Sequence, residues 1–240
     1  AVRGATFSPG AVVWPVGVRG PPGPGRSHHN IHFGRAWNSA FDDLIRDGRL
    51  MRDPSRLVTV ASHDDPELAP EGCSTLYVLE PVPSLDGEPV WDDASTARFR
   101  DRLHGFLADE GYPSEVLAEE IWTPQRWLAE GMAAGTPFAL AHTFAQTGPF
   151  RPPNHERRRP GVFFAGSGTV PGVGIPMVLI SGRLAAERVQ DLADDLSEKA
   201  HGGTSFRSGI GFVAGPFVPQ PPDNGSHPRA FPRACTIPGP

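Results

Sequence analysis

Apolar and polar residues alternate with a period of two in several short stretches of the first eighty positions. "RLVTVAS" (56–62) and "STLYVLEPV" (74–82) are rich in β-branched and aromatic residues and read as the clearest strands. "AVVWPVGV" (11–18) reads as a strand weakened by Pro15, which has no N–H to give to a ladder. "HHNIHF" (28–33) sets Ile31 and Phe33 on one face and reads as a further strand. The spacing turns helical over 36–47, where Trp37, Phe41, Leu44 and Ile45 recur and Gly48 ends the run. Residues 95–110 predict an amphipathic helix with Ser95 as N-cap, a buried stripe of Leu103, Phe106 and Leu107, and Gly111 just past its end. "TPQRWLAEG" (123–131) predicts a short helix with Thr123 as cap, Pro124 in the first position and Gly131 as stop. No internal repeat is present.

The pattern then changes twice. "GMAAGTPFALAHTFAQTGPF" (131–150) carries only neutral and apolar side chains apart from its histidine. "GVFFAGSGTVPGVGIPMVLISGRLAAERV" (161–189) predicts a short buried strand ending at Gly166, a glycine-proline loop, and a long helix beginning near 174–176. Pro176 suits the first turn, and Ile180, Leu184 and Val189 continue the predicted buried face. Gly182 inside that helix costs roughly 1 kcal/mol against alanine, so it points to close packing. Between strand and helix, Gly166, Gly168, Gly172 and Gly174 bare the backbone. Bare N–H groups next to a helix N-terminus suit a phosphate or the electron-rich edge of a flavin ring. The plainer alternative is that these glycines only serve turns. Past residue 200 the text is dense in glycine and proline without any period, and it reads as a loose tail (200–240).

Composition narrows the function classes. A net charge of −5 gives no basic face for nucleic acid. With 28 glycines and 28 prolines in 240 residues, loops are abundant. No apolar run reaches the length of a spanning helix, and there is no signal-peptide pattern. The chain opens at Ala1 without a methionine, which is compatible with processing, with recombinant trimming or with a missing N-terminal part. The two cysteines, Cys73 and Cys235, read as free thiols of a reducing compartment. His28, His29 and His32 lack a cysteine or acid to complete a ligand set, so no metal is expected. Glu80 reads as a solvent-facing alternate position, with a buried carboxylate of raised pKa as the alternative. His142 reads as structural, with proton transfer as the alternative. The cluster Arg157, Arg158 and Arg159 reads as a solvated basic face, or as a contact to anionic lipid. No catalytic residue is assigned.

The segment "FFAGSGTVPGVGIPMVLISGRLAAERV" resembles the C-terminal flavin-binding segment of the bacterial phytoene desaturases, FAD-dependent carotenoid desaturases of the amine-oxidase-like flavoproteins. "HHNIHFG" (28–34), "DPELAPEGCSTLYVLEPVPSL" (65–85), "FALAHTFAQTGPFRPPN" (138–154) and "ERRRPGVFFAGSGTVPG" (156–172) resemble further family segments in family order. The resemblance runs over about residues 5–195 and implies an α/β fold: a substrate domain on a mixed or antiparallel sheet (1–150) and the closing piece of an FAD domain (151–199). The family's opening G-x-G-x-x-G fingerprint is absent, which implies the C-terminal half of such a protein and a missing N-terminal half. By the same resemblance Gly166, Ser167 and Gly168 touch the cofactor, the first two beside its ribityl-pyrophosphate part, and Gly174, Ile175, Pro176 and Met177 line the isoalloxazine edge. Ser167 stands where the wider superfamily often carries an acid, which favours the desaturase branch. Phe138, Leu140, His142, Phe144 and Phe150 are the candidate lining of an apolar substrate tunnel, with ordinary core packing as the alternative. The implied activity is desaturation of a C40 polyene by a cytoplasmic protein in peripheral contact with the membrane. A related amine-oxidase-like enzyme with another substrate, or a remnant unable to hold FAD, are the alternatives.

Overall fold

The structure, a computed structural model, describes residues 4–201. Within that range the chain forms two compact units, residues 9–137 and residues 4–8 with 138–201. The expected tail lies, past His201, outside the described residues. The elements form a mixed α/β fold, with a sheet that is antiparallel throughout.

In the first unit, strands β1 (Gly10–Arg19), β2 (His29–His32), β3 (Arg56–Val60), β4 (Cys73–Val82) and β5 (Glu115–Glu119) lie in the order β2-β3-β4-β1-β5. Pro15 thus sits on a strand with a neighbour on both sides. Its position explains the tolerance. Val13 and Trp122 exchange backbone bonds, and Glu120 N–H donates to the Pro15 carbonyl at 3.1 Å. Pro15 therefore faces the β5 side just where the regular β1–β5 ladder, which covers Val16–Arg19, has ended.

Period-two alternation builds the core. Val12, Trp14, Val16 and Val18 of β1, Val58 and Val60 of β3, and Leu76, Val78 and Val82 of β4 form one buried cluster. Helix α2 (Asp93–Asp109) covers it with Phe99, Leu103 and Leu107, spaced four apart. The cap of α2 differs from expectation. Asp92 is the N-cap, and it forms a reciprocal capping box with Ser95, which is the third helical residue. Phe106 lies only partly buried beside the stripe. Glu80 corrects the expectation of a solvent-facing position. It is in phase with Leu76, Val78 and Val82, fully buried, and held by Arg56 at 2.6 Å and by Arg102. Burial pushes its carboxyl up, against the pull of the two guanidiniums.

The 36–47 run forms helix α1 (Trp37–Phe41) followed by a π turn (Asp42–Arg46). Ala40 and Leu44 are buried with Met51, whereas Trp37, Phe41 and Ile45 are exposed. Buried Asp43 ties the turn to Arg49 and Arg52. Helix α3 (Pro124–Ala129) starts as expected, with the Thr123 hydroxyl accepting from Arg126 N–H. His28 pairs with Asp64 at 2.9 Å, His29 meets the Thr59 hydroxyl, and His32 sits between Glu110 and Tyr112. Cys73 does not stand as a free thiol, against that expectation; Cys235 lies outside the described residues.

In the second unit, residues 6–8 run antiparallel to 139–141: Ser8 N–H donates to the Ala139 carbonyl and Ala141 N–H to that of Thr6, both at 3.0 Å. Helix α4 (Ile175–His201) is the dominant element. Two expectations fail here. "GVFFAG" is no regular strand: Phe163 makes one isolated bridge, to His155, and Val162 and Phe164 are exposed. An apolar run without a partner strand closes no ladder. The buried positions of α4 are Ser181 and Ala185; Leu184 and Val189 are half-buried and Ile180 is exposed. A side chain at Gly182 would meet nothing within 4 Å, so that glycine does not mark close packing.

Candidate functional site

The loop between Gly166 and Gly174 is shaped by a buried polar knot. Asn154, fully buried, donates from Nδ2 to the Phe164 carbonyl (3.1 Å), the Thr169 hydroxyl (3.0 Å) and the Ser181 hydroxyl (2.9 Å). The Thr169 and Ser181 hydroxyls lie 2.8 Å apart. Ser181 Oγ also accepts the Gly166 N–H at 3.0 Å, so the second turn of α4 holds the start of the loop. Phe164 N–H donates to the Asn154 carbonyl and Val170 N–H to that of Pro152. One short segment, 151–154, thus grips the loop at both ends.

Arg151 is the other grip. Only 2% of its surface is exposed. Its Nε donates to the Thr169 carbonyl at 3.1 Å and its Nη2 to the Ser167 carbonyl at 2.5 Å. A third, longer contact reaches the Gln146 carbonyl. Among the described residues no carboxylate pairs with it, and burial pulls the guanidinium below its ordinary pKa.

Gly172 needs to be glycine on two counts: its φ is +139°, and an added Cβ would stand 3.3 Å from His142 Nε2 and 3.6 Å from Arg151 Nε. Gly174, at φ +109°, turns the chain into α4, and its carbonyl accepts the Val178 N–H at 2.9 Å. Among the described residues the N–H groups of Ser167, Gly168, Gly172 and Gly174 have no acceptor. Gly172 is buried, but the N–H groups of Ser167, Gly168 and Gly174 lie on accessible backbone and, with the first turn of α4, are open donors at the positive end of a 27-residue helix. Such donors can hold an anionic oxygen or the carbonyl edge of a planar ring.

The predicted residues fall as follows. Ser167 and Gly168 lie on this loop, and Gly166 N–H is spent on Ser181. Gly174, Ile175, Pro176 and Met177 are exposed at the start of α4. His142 belongs to the same place, against Gly172. Phe144 and Phe150 stack at 5.7 Å between centroids and are exposed, while Leu140 is buried and bridged to Phe7. Phe138 is more than a third exposed. Arg151, Asn154, Thr169 and Ser181 were not singled out from the sequence. A lone serine on the apolar run "MVLISG" is the one sign of them.

The chain matches the model of the flavin-containing amine oxidoreductases over residues 31–190. It is 47% identical over 188 residues to a phytoene dehydrogenase of Streptomyces griseus, covering 76% of this chain and 37% of that protein. It is 39% identical over 171 residues to a zeta-carotene-forming phytoene desaturase of Myxococcus xanthus, covering 69% and 33%. A carotenoid 3,4-desaturase of Haloarcula japonica is 33% identical over 195 residues, covering 78% and 38%. The chain therefore matches about a third of the length of these relatives.

Proposed function

The chain belongs to the flavin-containing amine oxidoreductase family, and from that premise we propose that it carries part of the site of an FAD-dependent polyene desaturase. The observation that carries the reading is the set of open N–H donors on the Ser167–Gly174 loop, continued by the N-terminus of α4. The family match runs through this loop, and three relatives of the chain are named phytoene dehydrogenase, phytoene desaturase and carotenoid 3,4-desaturase.

In this reading Gly166 and Ser167 lie beside the ribityl-pyrophosphate part of FAD, Gly168 also touches the cofactor, and Gly174, Ile175, Pro176 and Met177 lie along its ring edge. Residues 151–199 belong to the flavin domain and residues 1–150 supply most of a substrate domain. Desaturation breaks one C–H bond on each of two adjacent carbons and leaves a double bond. Bound FAD would accept one hydrogen as hydride, and the other would leave as a proton to a base or to water. The chain's residues bind and orient: the loop donors hold polar oxygens, and the exposed apolar residues Ile175, Met177, Phe144 and Phe150 keep water from an apolar substrate. The substrate class is a lipophilic C40 polyene such as phytoene. Among the described residues no helix is long and apolar enough to cross a membrane. The lipophilic substrate class is what supports peripheral contact with a membrane from the cytoplasmic side.

The test is a titration of the 240-residue chain with FAD, read by quenching of flavin fluorescence, followed by desalting. The expected outcome is saturable quenching that desalting reverses, because no G-x-G-x-x-G cradle is present for the ADP half. Yellow protein after desalting would overturn the view that the site is partial. An absence of quenching at every concentration would overturn the loop as a flavin site.

A further inference from the structure

We infer that Arg151 is a positioning residue that preforms the Ser167–Gly174 loop and charges it for an anionic phosphate without touching the ligand. The inference rests on the flavin reading above. It begins from elementary geometry. A trans peptide is planar, with its C=O and N–H pointing opposite ways. Arg151 Nη2 holds the Ser167 carbonyl. The N–H of that same peptide unit belongs to Gly168, so it is turned away from Arg151. Gly168 is exposed, and among the described residues its N–H has no acceptor. A guanidinium bond to the carbonyl also polarises the peptide and strengthens the donor at its far end.

The charge is the second observation. A buried guanidinium is normally paired with a carboxylate. Here three carbonyls, of Gln146, Ser167 and Thr169, give each of its three nitrogens a partner and leave the charge in place. Structural cross-linking alone needs no charge, as the neutral Asn154 amide shows one segment away. A net positive charge kept dry beneath open N–H groups favours an anion above them. His142 comes against Gly172 from the same side as Arg151.

The experiment uses the full 240-residue chain, with Arg151→Met and Arg151→Lys. The first readout is amide hydrogen exchange without ligand. Arg151→Met should speed exchange at Gly166, Thr169 and Val170 by roughly tenfold or more, with β1 and β4 amides unchanged. Unchanged loop exchange would overturn the positioning role. If Arg151→Met does not fold, Arg151→Lys decides: it keeps the charge, loses the fork, and should show an intermediate exchange rate. The second readout is affinity for riboflavin, FMN and FAD. Arg151→Met should weaken FMN and FAD by about tenfold and riboflavin much less, with Arg151→Lys recovering part of the loss. Equal losses for all three would overturn the charge role and leave only the cross-link. Absence of binding to the unaltered chain by all three flavins would refute the flavin reading and with it the charge role, while the exchange result still decides the positioning role.

Discussion

Arg56→Met should expose how the sheet carries Glu80. In the native chain Arg56 Nε donates to Glu80 Oε2 at 2.6 Å, and its guanidinium lies 4.4 Å over the Phe106 ring. The substitution keeps the apolar stem and removes the charge. Arg102 remains, but about a third of its side chain is exposed, so its hold on the carboxylate is screened. Breaking a buried pair from one side costs about 3–5 kcal/mol. Protonation of Glu80 caps that cost, because the buried acid can go neutral instead. Near pH 7 the cap is about 3–4 kcal/mol, the work of protonating a carboxyl of ordinary pKa.

The sign follows from the direction of the shift. Burial raises the Glu80 carboxyl above its unfolded value, so the folded chain binds that proton more tightly. The associated stability is fully present below the ordinary glutamate value and is lost as pH rises through the raised one. Losing Arg56 pushes the carboxyl higher still and moves this window to higher pH. Near pH 4.5 the loss should shrink to about 1 kcal/mol, the remainder of lost packing and cation–π contact. Urea unfolding read by tryptophan fluorescence measures this directly, because all five tryptophans lie within residues 9–137. The midpoint should fall at pH 7 with little change in slope, by an amount equal to about 3 kcal/mol, or about 10 °C in Tm. Arg56→Met with Glu80→Met should recover most of it. A loss that does not change with pH, or one under about 1 kcal/mol at pH 7, would refute the account.

Further outcomes follow from other sites. The Asp43 carboxyl is held at about 2 by hydrogen bonds from Arg52 and Arg49, so its contribution exists above the ordinary aspartate range and fades as pH falls toward 2. Exchange at Arg52 N–H, which donates to Asp43, should accelerate over that interval, and Asp43→Asn should show fast exchange at every pH. Ser181→Ala strands the Gly166 N–H and takes one partner each from the Thr169 hydroxyl and the Asn154 amide, and should cost about 2 kcal/mol at α4 by amide exchange, with Ser181→Thr milder. Gly172→Ala should cost about 1–3 kcal/mol through its positive φ and the His142 contact, and His142→Ala should relieve only the contact. Gly168→Ala has open space and should stay within about 0.5 kcal/mol by the same measurement.

What the sequence made legible, and what it hid, divides along the range of the forces involved. Strands β3 and β4 and the caps of α3 are local: alternation, a threonine before proline, a glycine after the helix. Glu80 was misjudged although its alternation was visible, because charge outweighed phase in the reading. Its two counter-charges come from positions 24 residues earlier and 22 later, and no local window contains all three. The cap of α2 was misplaced by three residues for a smaller reason. Asp92 and Ser95 are both good caps, and only the closed box decides which one leads.

The loop shows the same division in its sharpest form. Its glycines and the helix behind it were plain in the text, since each is a backbone demand. The groups that hold it were not. Arg151 and Asn154 look like loop residues among prolines, and Ser181 looks like a break in an apolar helix face. They meet only because the chain doubles back across 15 to 27 residues. The run "GVFFAG" failed as a strand for the complementary reason. Its pattern was right, but a strand is a pairing, and His155 offers one bridge. Val162, Phe164, Ile175 and Leu179 all remain exposed. Apolar residues gain stability only against a surface that covers them, and the buried knot of Asn154, Thr169 and Ser181 is what holds the loop in shape without one.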